Sequence, residues 1–208
     1  MKAAQPDLAT PSRPLPRQER SQQTYDLLLR VAGELLAEVG MDAISTNMIC
    51  ARAGVTPPAL YRYFDDKYAV LEALARRLMN RQNVVLEQWI ERNEDGGPDA
   101  FSAHIVDLMR DTAAVTASEP GAVWILRALH ASPRLVHIRV ESHRYVTDQL
   151  VEAYARHMPD IDRDDLWRRL RLSVEIGFAV DEMIQEEDRI PSETAFQYAA
   201  NVLRGALD

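Results

Sequence analysis

Cysteine is almost missing from this chain, and that excludes two kinds of scaffold. Cys50 stands alone, so there is neither an intrachain disulfide framework nor a cysteine-based zinc site. Long apolar runs are missing too: none approaches the roughly 20 residues that a membrane-spanning helix needs. The opening segment, MKAAQPDLATPSRPLPRQER, has no apolar core of signal-peptide length and reads as a Pro-rich flexible arm over residues 1–16. A Gly-rich phosphate loop, a nucleophile elbow and an HExxH sequence do not occur. His104, His130, His137, His143 and His157 lack the paired spacing of a helical zinc site. His104, Asp107 and Asp111 share a helix face, which solvated surface residues explain more simply than a metal does. These exclusions point away from an enzyme and imply no cofactor, no metal and no membrane. With 47% hydrophobic residues the chain can bury a core, and a cytoplasmic protein is expected.

Basic residues are in deficit, giving a net charge of -8, which for the whole chain argues against nucleic acid. The deficit is uneven. Residues 13–81 sum to +2, whereas residues 82–208 sum to -10. Arg13, Arg17 and Arg20 precede the first helix, and Arg76, Arg77 and Arg81 follow the stretch described next. A DNA-binding end on an acidic body fits this division, and its affinity should fall with added salt.

Ser45 to Leu71 reads STNMICARAGVTPPALYRYFDDKYAVL. Thr46 suits an N-cap. Met48, Ile49 and Ala53 have helical spacing, and Gly54 can end that helix in a left-handed conformation. Thr56 caps the next helix, with Pro57 and Pro58 in its first turn, where a missing N–H has no intrahelical partner to lose. Leu60 and Phe64 share its inward face. Asp65 or Asp66 caps a third helix, and Lys67 in its first turn opposes the helix dipole unless an anion lies close. A helix, a glycine turn and a second short helix suit the presentation of one helix to the major groove of DNA.

These residues resemble the N-terminal domain of the tetracycline-repressor (TetR) family of bacterial transcriptional regulators. The resemblance rests on Ser45-Thr46, Ile49-Cys50, Ala53-Gly54-Val55-Thr56, Leu60-Tyr61-Arg62-Tyr63-Phe64 and Lys67, and extends back through Leu35-Leu36-Ala37-Glu38-Val39-Gly40. It covers about residues 20–75. Cys50 replaces a usual alanine, and Tyr25 stands where an arginine is frequent. The resemblance implies that Tyr61 and Lys67 bond DNA phosphates, which fix register without carrying sequence. Asn47, Pro57, Pro58, Ala59, Arg62 and Tyr63 would meet base edges, with Arg62 suited to guanine and Asn47 to adenine. Ser45, Thr46 and Thr56 complete the expected DNA-binding set. Taken alone, Tyr61 and Tyr63 would read as packing aromatics.

The remainder reads as helical. The expected division is an arm over 1–16, a helix-turn-helix domain over 17–65 and a regulatory and dimerisation body over 66–208. Leu28, Val31, Ala32, Leu35 and Val39 form a stripe in the first helix. A long helix is expected from Asp66 to Arg92, broken by Gly96-Gly97-Pro98. Others fit Asp99–Ala117, Pro120–Ala131, Pro133–His157, Arg163–Glu187 and Ser192–Leu207, punctuated by prolines. The fold class is all-α.

The last two helices carry apolar residues on most sides, so each must be buried on more than one side. Leu166, Leu170, Gly177, Val180, Ile184, Phe196, Ala199 and Leu203 are expected at a homodimer contact, as the family resemblance implies. A twofold dimer would read an inverted-repeat operator in double-stranded DNA. The resemblance also implies a small-molecule effector in the body, with Trp89, Phe101, Met109, Trp124, Tyr145, Glu175 and Phe178 as candidate lining residues. Each of these serves equally as core. The function implied is a repressor released by an effector. A regulator governed by a protein partner, or an activator without a small-molecule inducer, stays open.

Overall fold

The computed structural model describes residues 19–205, so the N-terminal arm with Arg13 and Arg17, and Ala206, Leu207 and Asp208, lie outside the described residues. Among these the chain is all-α, with no strand. Its helices are α1 (Glu19–Ala43), α2 (Thr46–Ala53), α3 (Pro57–Tyr61), α4 (Lys67–Asn93), α5 (Gly97–Ala103), α6 (Ile105–Ser118), α7 (Ala122–Ala131), α8 (Val136–Ala155), α9 (Arg163–Glu186) and α10 (Ser192–Gly205). A 3₁₀ turn over Glu94–Gly96 separates α4 from α5. The described chain divides into two compact units. The head unit holds residues 19–79 and 118–139, and the body unit holds 80–117 and 140–205.

In the head unit, Leu28, Val31, Ala32 and Leu35 are buried along α1, and Ile44, Ile49, Leu60 and Phe64 are buried as well. Val39 departs from the expected stripe: it is 37% exposed, next to the point where Gly40 (φ 74, ψ 177) turns the chain. Ser45, not Thr46, caps α2, because its hydroxyl accepts from the Met48 N–H at 3.3 Å. Gly54 ends α2 as expected, at φ 66. Asp66 is the cap of α4, its Oδ1 accepting from the Ala69 N–H at 2.8 Å. Tyr25 is buried and stacks on Phe64 with ring centroids 5.1 Å apart. That ring therefore holds α1 on the turn after α3. The head unit also takes in α7, which packs along α1.

The body unit has two apolar clusters. Trp89, Phe101, Tyr154, Leu166 and Leu170 belong to one, and Met109, Phe196, Ala199, Ala200 and Leu203 to the other. The expected helix over Asp99–Ala117 is in fact two helices. His104 (φ -104, ψ 12) leaves helical geometry, and its carbonyl accepts from the Trp89 indole N–H at 2.8 Å. Gly97 and Pro98 start α5 instead of lying in a break, since proline in a first turn loses no intrahelical bond. Gly97 sits at φ +60, with the His157 ring against the place of a β-carbon. No described helix is long and apolar enough to cross a membrane.

Candidate functional site

α3 is a short helix whose inward side is fixed and whose other residues are open. Leu60 is fully buried and Phe64 is 2% exposed, while Thr56, Pro57, Pro58, Tyr61 and Arg62 are exposed and Ala59 and Tyr63 half-buried. Prolines at the first positions start the helix, but Thr56 makes no side-chain cap bond. Two hydroxyl pairs seat the segment. Tyr61 and Thr46 share a hydrogen bond at 3.2 Å, joining the end of α3 to the start of α2. Tyr63 and Ser21 share one at 2.8 Å, joining the following turn to α1. Tyr63 also meets Tyr25 edge-on at 6.0 Å, and the Arg62 guanidinium lies 5.9 Å from the Tyr63 ring centre.

Of the other residues expected at DNA, Asn47 is exposed, and Ser45, Thr46 and Lys67 are half-buried. Ser45 is engaged as a cap. Lys67 is engaged as well: its Nζ donates to the Met41 and Asp42 carbonyls, each at 3.3 Å. A cation among the last carbonyls of α1 offsets their partial negative charge. This answers the puzzle of a lysine in a helix's first turn, since the ammonium serves the end of a different helix. Asp66 beside it pairs with Arg134 at 2.9 Å, and Arg134 covers the Tyr68 ring at 4.8 Å.

The body unit contains a cavity of about 110 Å³. Trp89, Phe101, Met109 and Phe178 line it, together with Leu86 and Leu170. Trp124, Tyr145 and Glu175 do not. Trp124 belongs to the head unit, where its ring lies 3.2 Å from the place of a β-carbon on Gly40. Tyr145 is buried with its hydroxyl donated to Glu87 Oε1 at 2.6 Å; burial, reinforced by that carboxylate, pushes its phenol up. Glu175 is held by His143 at 3.1 Å and by Arg171. Burial opposes its ionisation, but those two bonds overcome it and bring the carboxyl down to about 2. His143 in turn stacks on Phe178 at 4.1 Å, so Glu175 sits behind a wall residue.

Sequence reasoning missed the polar part of the cavity. Gln82 (2% exposed), Thr116 (fully buried) and Asp181 (4% exposed) form one network, with Gln82 and Asp181 on the cavity wall. Thr116 donates to Asp181 Oδ2 at 2.7 Å, and Gln82 Nε2 donates to Thr116 Oγ1 at 2.8 Å and to Asp181 Oδ2 at 3.3 Å. A carboxylate at helical spacing from Val174, Gly177 and Phe178 on α9 was the available signal.

Of the residues expected at a dimer contact, Leu166, Leu170, Phe196, Ala199 and Leu203 lie in the chain's own core. Gly177, Val180 and Ile184 are half-buried. The open apolar side chains on these helices are different ones: Leu172 at 61%, Tyr198 at 67% and Val202 at 59% exposed.

Residues 28–74 match the profile of "Bacterial regulatory proteins, tetR family". Over 54 residues the chain is 43% identical to tetracycline repressor protein class C from Escherichia coli, covering 26% of this chain and 25% of that protein. The chain thus aligns with only about a quarter of that relative's length. In fold it is similar to a TetR-family transcriptional regulator from Mesorhizobium loti (TM-score 0.68, 14% identity, 91% of this chain and 98% of that one). It is also similar to a SmeT–triclosan complex (TM-score 0.60, 20% identity, 89% and 91% of the two chains). Residues 28–74 thus carry a TetR-family DNA-binding domain, and the all-α fold of the chain is similar to that of TetR-family regulators.

Proposed function

We propose that this chain is a homodimeric, sequence-specific DNA-binding transcriptional regulator, acting as a repressor that leaves an inverted-repeat operator when a small molecule fills the body cavity. The observation that carries the reading is α3 itself. Leu60 and Phe64 anchor it, so Pro57, Pro58, Tyr61 and Arg62 face outward on a rigid support. In this reading Arg62 and Asn47 read base edges, with Pro57, Pro58, Ala59 and Tyr63 against edges and thymine methyl groups. Tyr61, Ser45, Thr46 and Thr56 position the head on phosphates. Lys67 joins them by exchanging its carbonyl partners for a phosphate.

Leu172, Tyr198 and Val202 supply the partner surface, since three large apolar side chains on two neighbouring helices gain by being covered. Release follows if the effector binds best to a state whose two heads are wrongly spaced for the operator. In this reading the coupling would follow the chain from one unit to the other. Ile105, Leu108, Met109 and Thr112 of α6 line the cavity, and α6 runs directly into Glu119-Pro120-Gly121, which packs on α1. The similar fold of a triclosan complex is consistent with a ligand in such a body.

Selection of bound fragments from random double-stranded DNA tests the reading. Recovery of one inverted-repeat motif by the purified dimer is expected. No enrichment by a correctly folded dimer refutes sequence-specific binding.

A further inference from the structure

We propose that the body cavity takes a lipophilic amine, bound as its ammonium ion through N–H bonds to Asp181 and Gln82. This rests on the reading of the cavity as the effector site and names the chemistry of the effector. Two buried atoms of wall residues carry it. Asp181 Oδ1 and Gln82 Oε1 are buried and have no hydrogen-bond partner. Buried orphan acceptors are rare, and each costs on the order of 1–3 kcal/mol, more when charged.

The orphans follow from the network around them. The Thr116 hydroxyl and the Gln82 amide both donate to the same carboxylate oxygen, Oδ2. Turning the Gln82 amide over would set its oxygen against that carboxylate oxygen, acceptor against acceptor. The donors of this network are therefore spent, and what Asp181 and Gln82 have left is acceptor capacity. Among the described residues no cation pairs with Asp181. The Gln185 amide, which donates to the Ala113 carbonyl at 3.4 Å, lends the carboxylate a neutral donor only, and Glu182 adds a like charge. Burial accordingly pushes the Asp181 carboxyl above the ordinary carboxylate range. An ammonium would supply the missing donors and the missing charge together.

The rest of the cavity suits the rest of such a molecule. Trp89, Phe101 and Phe178 offer apolar rings, which tolerate a nearby cation. Gly177, one helical turn before Asp181, also lines the cavity, and a β-carbon there would meet nothing within 4 Å, so there is room beside that turn of α9. The one guanidinium on the wall, Arg204, would favour a carboxylate ligand instead. Two of its donors serve the Ser102 carbonyl at 3.2 Å and Asn201 Oδ1 at 3.1 Å, which turn Nε and one terminal nitrogen toward α5 and α10.

Titration calorimetry on the full chain decides, using 4-phenylbutylamine, 4-phenylbutan-1-ol, 4-phenylbutyrate and (4-phenylbutyl)trimethylammonium. The amine is expected to bind roughly tenfold or more tighter than the alcohol and the trimethylammonium, which lacks an N–H, and tighter still than the carboxylate. Asp181→Asn should remove that advantage, bringing the amine to within a few-fold of the alcohol. Equal binding of amine and alcohol, equal binding of amine and trimethylammonium, preference for the carboxylate, or no binding by any of the four overturns the proposal. The comparison of ligands on the unaltered protein decides even if the variant fails to fold. Operator release is read separately by fluorescence anisotropy. An amine that binds through Asp181 without dissociating DNA leaves the ligand class standing and refutes the effector reading.

Discussion

Gly121 lies so close to Gly33 that a β-carbon on it would sit 2.7 Å from the Gly33 carbonyl oxygen. The converse holds: a β-carbon on Gly33 would sit 2.7 Å from the Pro120 carbonyl. Gly121 also has φ +75, which favours glycine on its own account. Both clashes are with backbone, which a rotamer change cannot relieve. Glu119 beside this turn is buried and takes Arg77 Nε at 3.1 Å, fastening the same turn to α4.

Gly33→Ala should therefore destabilise the head unit, although alanine favours a helix by up to about 1 kcal/mol. Overpacking against backbone costs roughly 1–3 kcal/mol and wins. A thermal melt should show a Tm lower by several degrees. An unchanged or raised Tm would mean that α1 and the turn separate easily.

Substitutions in the head should divide into two kinds. Arg62→Ala should relax base preference at one operator position by about 1–3 kcal/mol. Tyr61→Phe should weaken binding to all sequences alike, since phosphate contacts carry no sequence information. Lys67→Ala should do the same and also lower the Tm, because Nζ holds the Met41 and Asp42 carbonyls. Repeating the DNA selection and melt for each variant separates the cases.

Leu172→Glu or Tyr198→Glu places a charge where the proposed partner would cover apolar surface. Either should shift sedimentation from dimer to monomer and reduce operator affinity, without lowering the helical circular dichroism signal. Persistence of the dimer in both would move the contact elsewhere.

Asp181 and Glu175 should give opposite dependences of stability on pH. Burial raises the folded Asp181 value, against the pull of Thr116 and Gln185. Its contribution is full below the ordinary carboxylate range near pH ~4 and is lost as pH rises through the folded value. Asp181→Asn should thus gain Tm over the parent at pH 7 and lose that gain toward pH 4. Glu175 titrates at about 2 in the folded chain. Its contribution is present above the unfolded value and disappears as pH falls toward the folded one. Glu175→Gln should lower the Tm at neutral pH, and the difference should shrink in acid.

The head was legible in the sequence because its determinants are local. Gly54 at φ 66, prolines at the start of α3 and the burial of Leu60 and Phe64 four residues apart all act within one or two turns. Even there, details depended on neighbours further along the chain. The cap of α2 moved to Ser45, and Lys67 found carbonyls some 25 residues away in sequence. Trp124 was misassigned to the cavity because nothing in a helix's own periodicity says which unit its apolar face meets.

By itself, then, the sequence determined an all-α chain with a helix-turn-helix head, since helical spacing, capping residues and turn glycines operate over short separations. Only the tertiary structure decided which side of α9 and α10 stays open, because Leu166, Leu170, Phe196 and Leu203 are as apolar as Leu172 and Val202 and differ only in what packs on them. It alone brought Gln82, Thr116 and Asp181 together across separations of 34 to 99 residues, where burial turns an unremarkable carboxylate into a demand for a donor.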